Sequence, residues 1–390
     1  MTIEKRGNTY RITVYCGSDS TGKAIRQNTT YKPDPSLTKK QQYNQAYKFG
    51  LEFEQKIKQG INVKYDKLTF NQFCEMYFNN HAPTLKTYTA EQYKQITENR
   101  LKPYFGNMRV VNISSLDVLQ WLASLEKDKK SNKPGLVLSE NSKGVYFRTL
   151  SSMLGVAVKW NIINDNPCRR VTTPRKQSDV KALQQNQVIE LFNKIDSYPD
   201  NQTVIAVYIL ILSGIRISEL IGLQWNDINF SDNTIHVCRE VMYIPRKGME
   251  ITPPKSVNSN RVIYIPEMLA SKFQAYREQQ NRDIKALGDY YNNQGYIITQ
   301  SNGYPVHGST IRKHIKKAFN FCGIPYVTVH GLRHTYASLL IANGMDIRTT
   351  ASQLGHSTPS LLLNVYANPQ DKAKKQASNM IEQIIKQKNI

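Results

Sequence analysis

A short polar and basic stretch, Pro174–Ser178, interrupts the chain after a long series of helix-like segments. It contains a proline, two cationic side chains and no hydrophobic periodicity, which is typical of a segment between domains. The whole chain has 390 residues, too many for one ordinary domain. We therefore predict several domains, with residues 167–178 as the linker before the last one.

Two smaller domains are predicted before this linker. Residues 1–62 alternate polar and apolar side chains at Asn8–Tyr15 and Ala24–Tyr31, and a helical segment follows. This pattern predicts a small three-stranded sheet plus a helix, because the alternating residues are strong strand formers. Residues 63–166 have helical spacing almost throughout, so we predict an all-α domain there.

The largest predicted domain covers residues 179–390 and is mainly helical. Strand-like segments occur at Thr234–Pro245 and Arg261–Pro266, separated by turn residues. Helical segments surround them, at 186–197, 202–213, 267–285, 309–322, 331–343, 346–354 and 359–366. The chain as a whole is thus predicted to be a multidomain α+β protein, with a small antiparallel sheet in its mainly α last domain.

An excess of positive charge extends along the entire chain. Lys and Arg outnumber Asp and Glu by 52 to 30, a formal net charge of +22. The basic and acidic counts are 11 and 5 in residues 1–60, 16 and 9 in residues 61–170, and 25 and 16 in residues 171–390. A basic tail would indicate a local anchor, whereas an excess in every segment indicates a protein that lies along a polyanion.

Membrane, secreted and metal-binding proteins are poor matches to this sequence. The longest apolar run, Val204–Leu212, has about half the length of a membrane span. Met1–Arg11 lacks the apolar segment of a secretion signal. The five cysteines form no CxxC pair, which disfavours a disulfide framework or a zinc ribbon. We expect a cytoplasmic protein with no membrane segment, no metal and no cofactor.

Four short segments of the last predicted domain carry Arg, His and Tyr in a fixed order. They are Ser213-Gly-Ile-Arg216-Ile-Ser-Glu219, His330-Gly-Leu-Arg333-His334, Leu354-Gly-His356 and Asn364-Val-Tyr366. His356 follows Arg333 by twenty-three residues, and Tyr366 comes ten residues later. This order and spacing resemble the tyrosine recombinase family, also called phage integrases. Lys255, followed by Arg261-Val-Ile-Tyr-Ile-Pro266, is similar to another part of the family pattern.

The resemblance extends to the other domains. The helical block 63–166, with Thr87-Tyr88, is similar to the family's core-site DNA-binding domain, and residues 1–62 resemble the arm-site DNA-binding domain of integrases from mobile elements. The resemblance implies that residues 179–390 are the catalytic domain. It also implies double-stranded DNA with core and arm attachment sites as the partner, a homotetramer on DNA, and accessory proteins that bend DNA or assist excision.

The chemistry of DNA strand transfer accounts for these residue types. Its transition state carries negative charge on phosphate oxygens, which Arg216, Arg333 and His356 can stabilise without a metal. The phenol of Tyr366 can attack phosphorus and form a phosphotyrosine, which keeps the bond energy, so that rejoining needs no ATP. The resemblance implies His330 as the base for this phenol. Lys255 is the candidate acid for the leaving 5′-oxygen.

Some of these residues have structural alternatives. Arg216 has Glu219 three positions on as an ion-pair partner, and Glu219 is expected to orient rather than to catalyse. His330 and His334 have the spacing of zinc ligands, but Gly331 stands where the metalloprotease motif needs Glu.

DNA contacts are also predicted outside the catalytic segments. We predict that the first sheet contacts DNA through Tyr10, Arg11 and Arg26, because strands present alternate side chains to a groove. Lys86 and Thr87 are chosen at the segment that is similar to the family's core-site domain. In the last domain Lys247 is an alternative to Lys255, since both lie in the turn region before the strand that begins at Arg261.

We predict a site-specific DNA recombinase that integrates and excises a mobile element through a 3′-phosphotyrosine intermediate. Two alternatives stay open, namely a type IB topoisomerase-like enzyme that relaxes DNA and a non-catalytic DNA-binding regulator with the same fold. The three-part layout favours the recombinase. A regulator is disfavoured because the whole set is present: Arg216, Lys255, His330, Arg333, His356 and Tyr366.

Overall fold

The computed structural model describes residues 1–18, 22–58, 65–125, 138–173, 181–252 and 259–355. Packing divides the chain into two compact units, residues 1–177 and 178–390. Helices dominate both units, small antiparallel sheets accompany them, and the prediction of a multidomain α+β protein is confirmed. Among the helices of the described ranges, none has the length and apolar character needed to cross a membrane.

The chain begins with an antiparallel sheet covered on one face by a helix. The strands β1 to β3 pair in sequence order, and α1 follows: Thr2–Arg6, Thr9–Ser18, Ala24–Tyr31 and Lys39–Lys58. Alternation along β2 places Ile12 and Val14 in one small core with Phe53 of α1. The opposite face of the sheet carries the polar half of the alternation.

A separate core holds the helices of residues 65–173 together. These helices are α2 to α6: Phe70–Asn80, Thr87–Ile96, Lys102–Phe105, Ser115–Ser124 and Glu140–Lys159. Their common core includes Phe70, Phe105 and Trp121. Helix α3 continues through a π-helical turn into α4, where Pro103 has no N–H to donate to the preceding turn. The boundaries predicted at residues 62 and 166 remain predictions.

The described part of the second unit contains seven helices, of which the first six contribute to one large core and the last packs with the sixth in a smaller cluster. They are α7 to α13: Gln185–Ile195, Asn201–Ser213, Ile217–Gly222, Glu267–Leu287, Gly308–Cys322, Val329–Ala342 and Ile347–Leu354. Helix α8 carries the longest apolar run of the chain and is buried almost all round, because α10, α11 and α12 pack against it. This central helix ends next to the candidate site.

Two small sheets complete the second unit. Strands β4 to β8 are Ile228–Asn229, Thr234–Val237, Glu240–Ile244, Gly248–Thr252 and Arg261–Tyr264, with sheet orders β4-β5-β8 and β6-β7. The prediction of one strand over Thr234–Pro245 is wrong. The strand breaks where Arg239 forms an ion pair with Asp227 and donates to the carbonyl oxygen of Gly222, so β5 and β6 join different sheets.

Candidate active site

Arg216 stands at a sharp turn between two helices. Helix α8 ends at Ser213, Gly214 takes the left-handed conformation with φ at 64°, and α9 begins directly after Arg216. A Cβ at Gly214 would lie 2.5 Å from the ring of Tyr336 and 2.8 Å from the side chain of Leu354. Glycine is required for both reasons, and the turn therefore passes directly against α12 and α13.

Glu219 fixes the position of Arg216. The backbone N–H of Arg216 donates to Oε2 of Glu219 at 2.8 Å, and its Nη1 donates to Oε1 at 2.6 Å. The Glu219 side chain is fully buried, whereas 32% of the Arg216 side chain remains exposed. The ion pair expected as the structural alternative is thus formed, and it still leaves part of the guanidinium open to solvent.

A second arginine, Arg261 at the start of β8, binds the same carboxylate. Its Nη1 and Nη2 donate to Oε1 and Oε2 of Glu219 at 3.2 and 3.1 Å. Burial alone would raise the pKa of Glu219, but hydrogen bonds and charges from Arg261 and Arg216 outweigh it and hold the pKa below its usual value. Glu219 is therefore an ionised link between two guanidinium groups at neutral pH.

Arg333 of α12 is the most enclosed of the three predicted catalytic residues that the structure describes. Only 3% of it is exposed. Its Nη1 donates to the carbonyl oxygen of Gly214 at 2.8 Å, and its Nη2 donates to that of Leu354. Burial first, and then the charge of Arg216, lower the pKa of Arg333 to about 9, which leaves it cationic at neutral pH.

Three consecutive carbonyl groups at the end of α13 each accept a hydrogen bond from an arginine. Arg261 Nε donates to Gln353 at 2.8 Å, Arg333 Nη2 to Leu354, and Arg216 Nη2 to Gly355 at 3.3 Å. We call Arg216, Arg261 and Arg333 the arginine cluster. The last carbonyl groups of a helix lack partners within it and carry partial negative charge, so cations stabilise this end.

His330 and His334 lie one turn apart on α12, with their ring centroids 4.7 Å apart in an edge-on arrangement. Loss of hydration, followed by the charges of Arg333 and Arg216, lowers the pKa of His330. Burial, followed by His330 and Arg333, lowers the pKa of His334 to about 4. Both imidazoles are therefore mainly neutral at neutral pH, and a neutral imidazole can accept a proton.

The structure brings together the three predicted catalytic residues that it describes. The charge of Arg216 contributes to the lowered pKa of both His330 and Arg333. Lys255, His356 and Tyr366 lie outside the described residues. In the part of the chain that is described, no group of three His, Cys, Asp or Glu side chains could hold a metal ion.

Arg261 is the site residue that sequence reasoning did not single out. The family pattern includes Arg261 only as the start of the strand after Lys255. A usable signal was present, because alternation along Arg261–Tyr264 places Arg261 on the same face as the buried Ile263. A cation on the buried face of a strand needs a carboxylate partner nearby.

The first sheet presents an open polar face that contains two of its three predicted DNA contacts. Arg11, Thr13 and Tyr15 of β2 lie opposite Thr30, Asn28 and Arg26 of β3 on this face. The structure corrects the prediction for Tyr10, which is only 4% exposed and packs edge-on against Tyr43 of α1. Tyr10 belongs to the face that α1 covers and is not available to a DNA groove.

Lys86 and Thr87 lie at the beginning of α3. Lys86 is exposed and directly precedes the helix, and Thr87 is its first residue. Their predicted contacts with DNA remain predictions.

Two family models match the sequence. Residues 181–373 match the Phage integrase family, and residues 69–125 match the N-terminal SAM-like domain of phage integrases. The chain is also similar to a tyrosine recombinase XerC-like protein of Caldanaerobacter subterraneus subsp. tengcongensis. The two are 27% identical over 395 residues, which covers 96% of this chain and 95% of the relative.

The fold is similar to those of solved integrases. The integrase of transposon Tn1549, in complex with a circular intermediate DNA, matches with a TM-score of 0.66 and 19% identity over 79% of this chain and 98% of that one. Lambda integrase, as a tetramer bound to a Holliday junction, matches with a TM-score of 0.51 and 16% identity over 92% of this chain and 96% of that one. At these identities the likeness establishes the fold.

Proposed function

Because the chain belongs to the phage integrase family of tyrosine recombinases, we propose that it cleaves and rejoins DNA at specific sites and so integrates and excises a mobile element. The observation that carries this proposal is the grouping of Arg216 and Arg333 at the end of α13, with His330 beside them. Two fixed guanidinium groups and a neutral imidazole suit a phosphodiester transfer, which needs charge stabilisation and a proton acceptor.

The proposed first step is attack by the phenolic oxygen of Tyr366 on the scissile phosphorus. His330 takes the phenolic proton, the bond from phosphorus to the 5′-oxygen breaks, and Lys255 donates a proton to that oxygen. Arg216 and Arg333 stabilise the charge on the nonbridging oxygens, and His356 is assigned the same role. A 5′-hydroxyl of a second strand then reverses the step, so the phosphodiester count is unchanged and no ATP is used.

The other domains are proposed to recognise DNA. Residues 1–62 are assigned to arm-type sites, residues 63–166 to core sites, residues 167–178 to the linker and residues 179–390 to catalysis. We propose that the protein works in the cytoplasm on double-stranded DNA as a homotetramer, the form in which lambda integrase was solved on a Holliday junction. Accessory proteins that bend DNA or assist excision complete this proposal.

A covalent-complex assay tests the proposed reaction. The full-length protein is mixed with short duplexes tiled across the DNA that flanks its own gene, each nicked so that the cleaved fragment diffuses away. We expect a detergent-resistant protein–DNA adduct on at least one duplex. The Tyr366→Phe variant should bind that duplex with similar affinity and form no adduct, because only the nucleophilic oxygen is lost.

The outcomes separate the three candidate functions. A type IB topoisomerase would relax a supercoiled plasmid that carries no paired sites, and a regulator would bind DNA without forming an adduct. Recombination between two cloned copies of the cleaved site is expected only from a recombinase. An adduct that still forms with Tyr366→Phe would rule out the proposed nucleophile.

A further inference from the structure

Arg261 uses four of its five N–H donors inside the protein. Two of them bind the carboxylate of Glu219, Nη1 also donates to the carbonyl oxygen of Ser259 at 3.1 Å, and Nε donates to that of Gln353 at 2.8 Å. Its side chain is 7% exposed. A guanidinium with these partners has almost no surface left for a DNA phosphate, so it acts on other protein groups.

The partners of Arg261 belong to three segments of the proposed site. Glu219 belongs to α9 and holds Arg216. Gln353 lies in the last turn of α13, before the glycine whose carbonyl oxygen binds Arg216. Ser259 lies two residues before the first residue of β8. A single buried cation therefore connects the carboxylate that orients Arg216 with the helix end that also binds Arg216.

We propose that Arg261 is a positioning residue of the strand-transfer site, which orients Arg216 through Glu219 and holds it in register with the end of α13. This inference rests on the proposed function, because it concerns the geometry of that same reaction. Arg216 is held at three points by Glu219 and Gly355, and Arg261 fixes the first of these partners. In this role Arg261 acts through Glu219 and the end of α13 and not on the reacting atoms.

Lysine cannot replace Arg261 in this arrangement. One ammonium group cannot bind both oxygens of Glu219 and reach Gln353 with a rigid planar geometry, whereas a guanidinium does so with little loss of side-chain freedom. Without Arg261, the buried Glu219 would keep Arg216 as its direct cationic partner, with the charge of Arg333 near it. Protonation of Glu219 would then become easier, and the hold on Arg216 would weaken as the pH falls.

Arg239 provides a matched control in the same unit. It too is an arginine paired with a buried carboxylate, that of Asp227, and it donates to the carbonyl oxygen of Gly222 at 3.3 Å. Its described partners do not include a member of the arginine cluster. Arg239→Ala should therefore disturb local packing and stability to a similar degree without changing how Arg216 is oriented.

The test compares Arg261→Ala, Arg261→Lys and Arg239→Ala with the unmodified full-length chain. Adduct formation in a single turnover, affinity for the same duplex and thermal unfolding are measured for each. We expect both Arg261 variants to lose roughly tenfold to a hundredfold in adduct formation, less than is lost with a direct transition-state donor, and to bind DNA almost normally. Added millimolar guanidinium should partly restore Arg261→Ala but not alter Arg239→Ala.

The pH profile supplies a readout that packing damage alone would not change. The acid limb of adduct formation should move to higher pH in Arg261→Ala and stay in place in Arg239→Ala. The inference is overturned if Arg261→Ala forms adduct within a few-fold of the unmodified chain. It is equally overturned if its loss matches that of Arg239→Ala at equal thermal stability, without rescue. Absence of adduct from the unmodified chain would instead overturn the proposed function.

Discussion

Arg216 and Arg333 use their donors in different ways. Arg333 is buried and spends both Nη groups on backbone carbonyl oxygens, so it contributes a fixed charge and also ties the turn at Gly214 to the end of α13. Arg216 is held by Glu219 and remains partly open to solvent. Arg216 is therefore the better position at which to test contact with a phosphate, since its replacement disturbs fewer backbone partners.

Arg216→Lys should keep the charge and lose the planar fork of donors. We expect adduct formation to fall by about a hundredfold, as on removal of one transition-state donor, while DNA affinity changes little. Initial rates of adduct formation and gel-shift titrations on the same duplex measure the two effects. Arg282→Lys, at an exposed position on α10, is the control and should behave like the unmodified chain. A rate within a few-fold for Arg216→Lys would contradict the need for a planar fork of donors at this position.

The lowered pKa of His334 predicts that the chain loses stability in acid. Its pKa is about 4 in the folded chain, below the ordinary value of 6.5, so between these values the unfolded chain binds more protons than the folded one. Stability should then fall as the pH drops through this window. We expect a lower Tm at about pH 5 than at neutral pH, and a smaller decrease in His334→Gln, which lacks this contribution. An equal decrease in both proteins would show that His334 is not responsible.

The resemblance to the tyrosine recombinase family predicts which residues meet at the site, but not what holds them there. Arg216, His330 and Arg333 are predicted from its motifs, and the structure brings them together. The role of Arg261 was not predicted, because its carboxylate partner lies 42 positions away, on an element whose packing no local pattern reveals. Tyr10 was misplaced for a related reason, since alternation defines two faces of a strand but not which one a helix covers.

At the scale of elements, the end of α8 packs directly against the end of α13. Gly214 closes α8, and its lack of a side chain lets Tyr336 of α12 and Leu354 of α13 approach. Most helices were anticipated to within a few residues because their apolar spacing is regular. The break between β5 and β6 was not, because it lies at Arg239, whose ion pair with Asp227 is a tertiary contact.

Gly214→Ala should destabilise the chain through both conformation and packing. The added methyl group would meet Tyr336 at 2.5 Å in a backbone with positive φ. Gly323→Ala is the matched control, since Gly323 also closes a helix at φ of 70° but has open space around it. We expect a loss of about 1 kcal/mol in the control and a clearly larger loss in Gly214→Ala. Equal losses in denaturant unfolding would mean that packing at Gly214 is unimportant.

At the scale of the whole molecule, positive charge is shared among parts with different proposed tasks. Residues 1–60, 61–170 and 171–390 each carry more basic than acidic side chains, so every part is expected to contribute to DNA affinity and to its salt dependence. The α+β class and the order of the proposed domains followed from pattern and resemblance. The open face of the first sheet did not, because the packing of α1 decides which face is covered.

Arg11 and Arg26 are expected to bind arm-type DNA from this open face. In the double variant Arg11→Ala and Arg26→Ala, affinity for an arm duplex should fall. The plot of the logarithm of affinity against the logarithm of salt concentration should become shallower, by the equivalent of about two phosphate contacts. Binding to a core duplex should be unchanged. Removal of residues 1–62 should abolish arm binding altogether, and titrations of separate arm and core duplexes measure both. A parallel loss of core binding would show that the predicted boundary is wrong.

The division between residues 177 and 178 also bears on how such genes change over generations. The codons for the arginine cluster and its partners all follow this point, and those for the open face of the first sheet precede it. A crossover between two related genes near this point would give a chimera with a new set of upstream DNA contacts and an inherited reaction centre. A lineage of mobile elements would thus acquire a new set of DNA target sites in one event, without passing through an inactive ancestor.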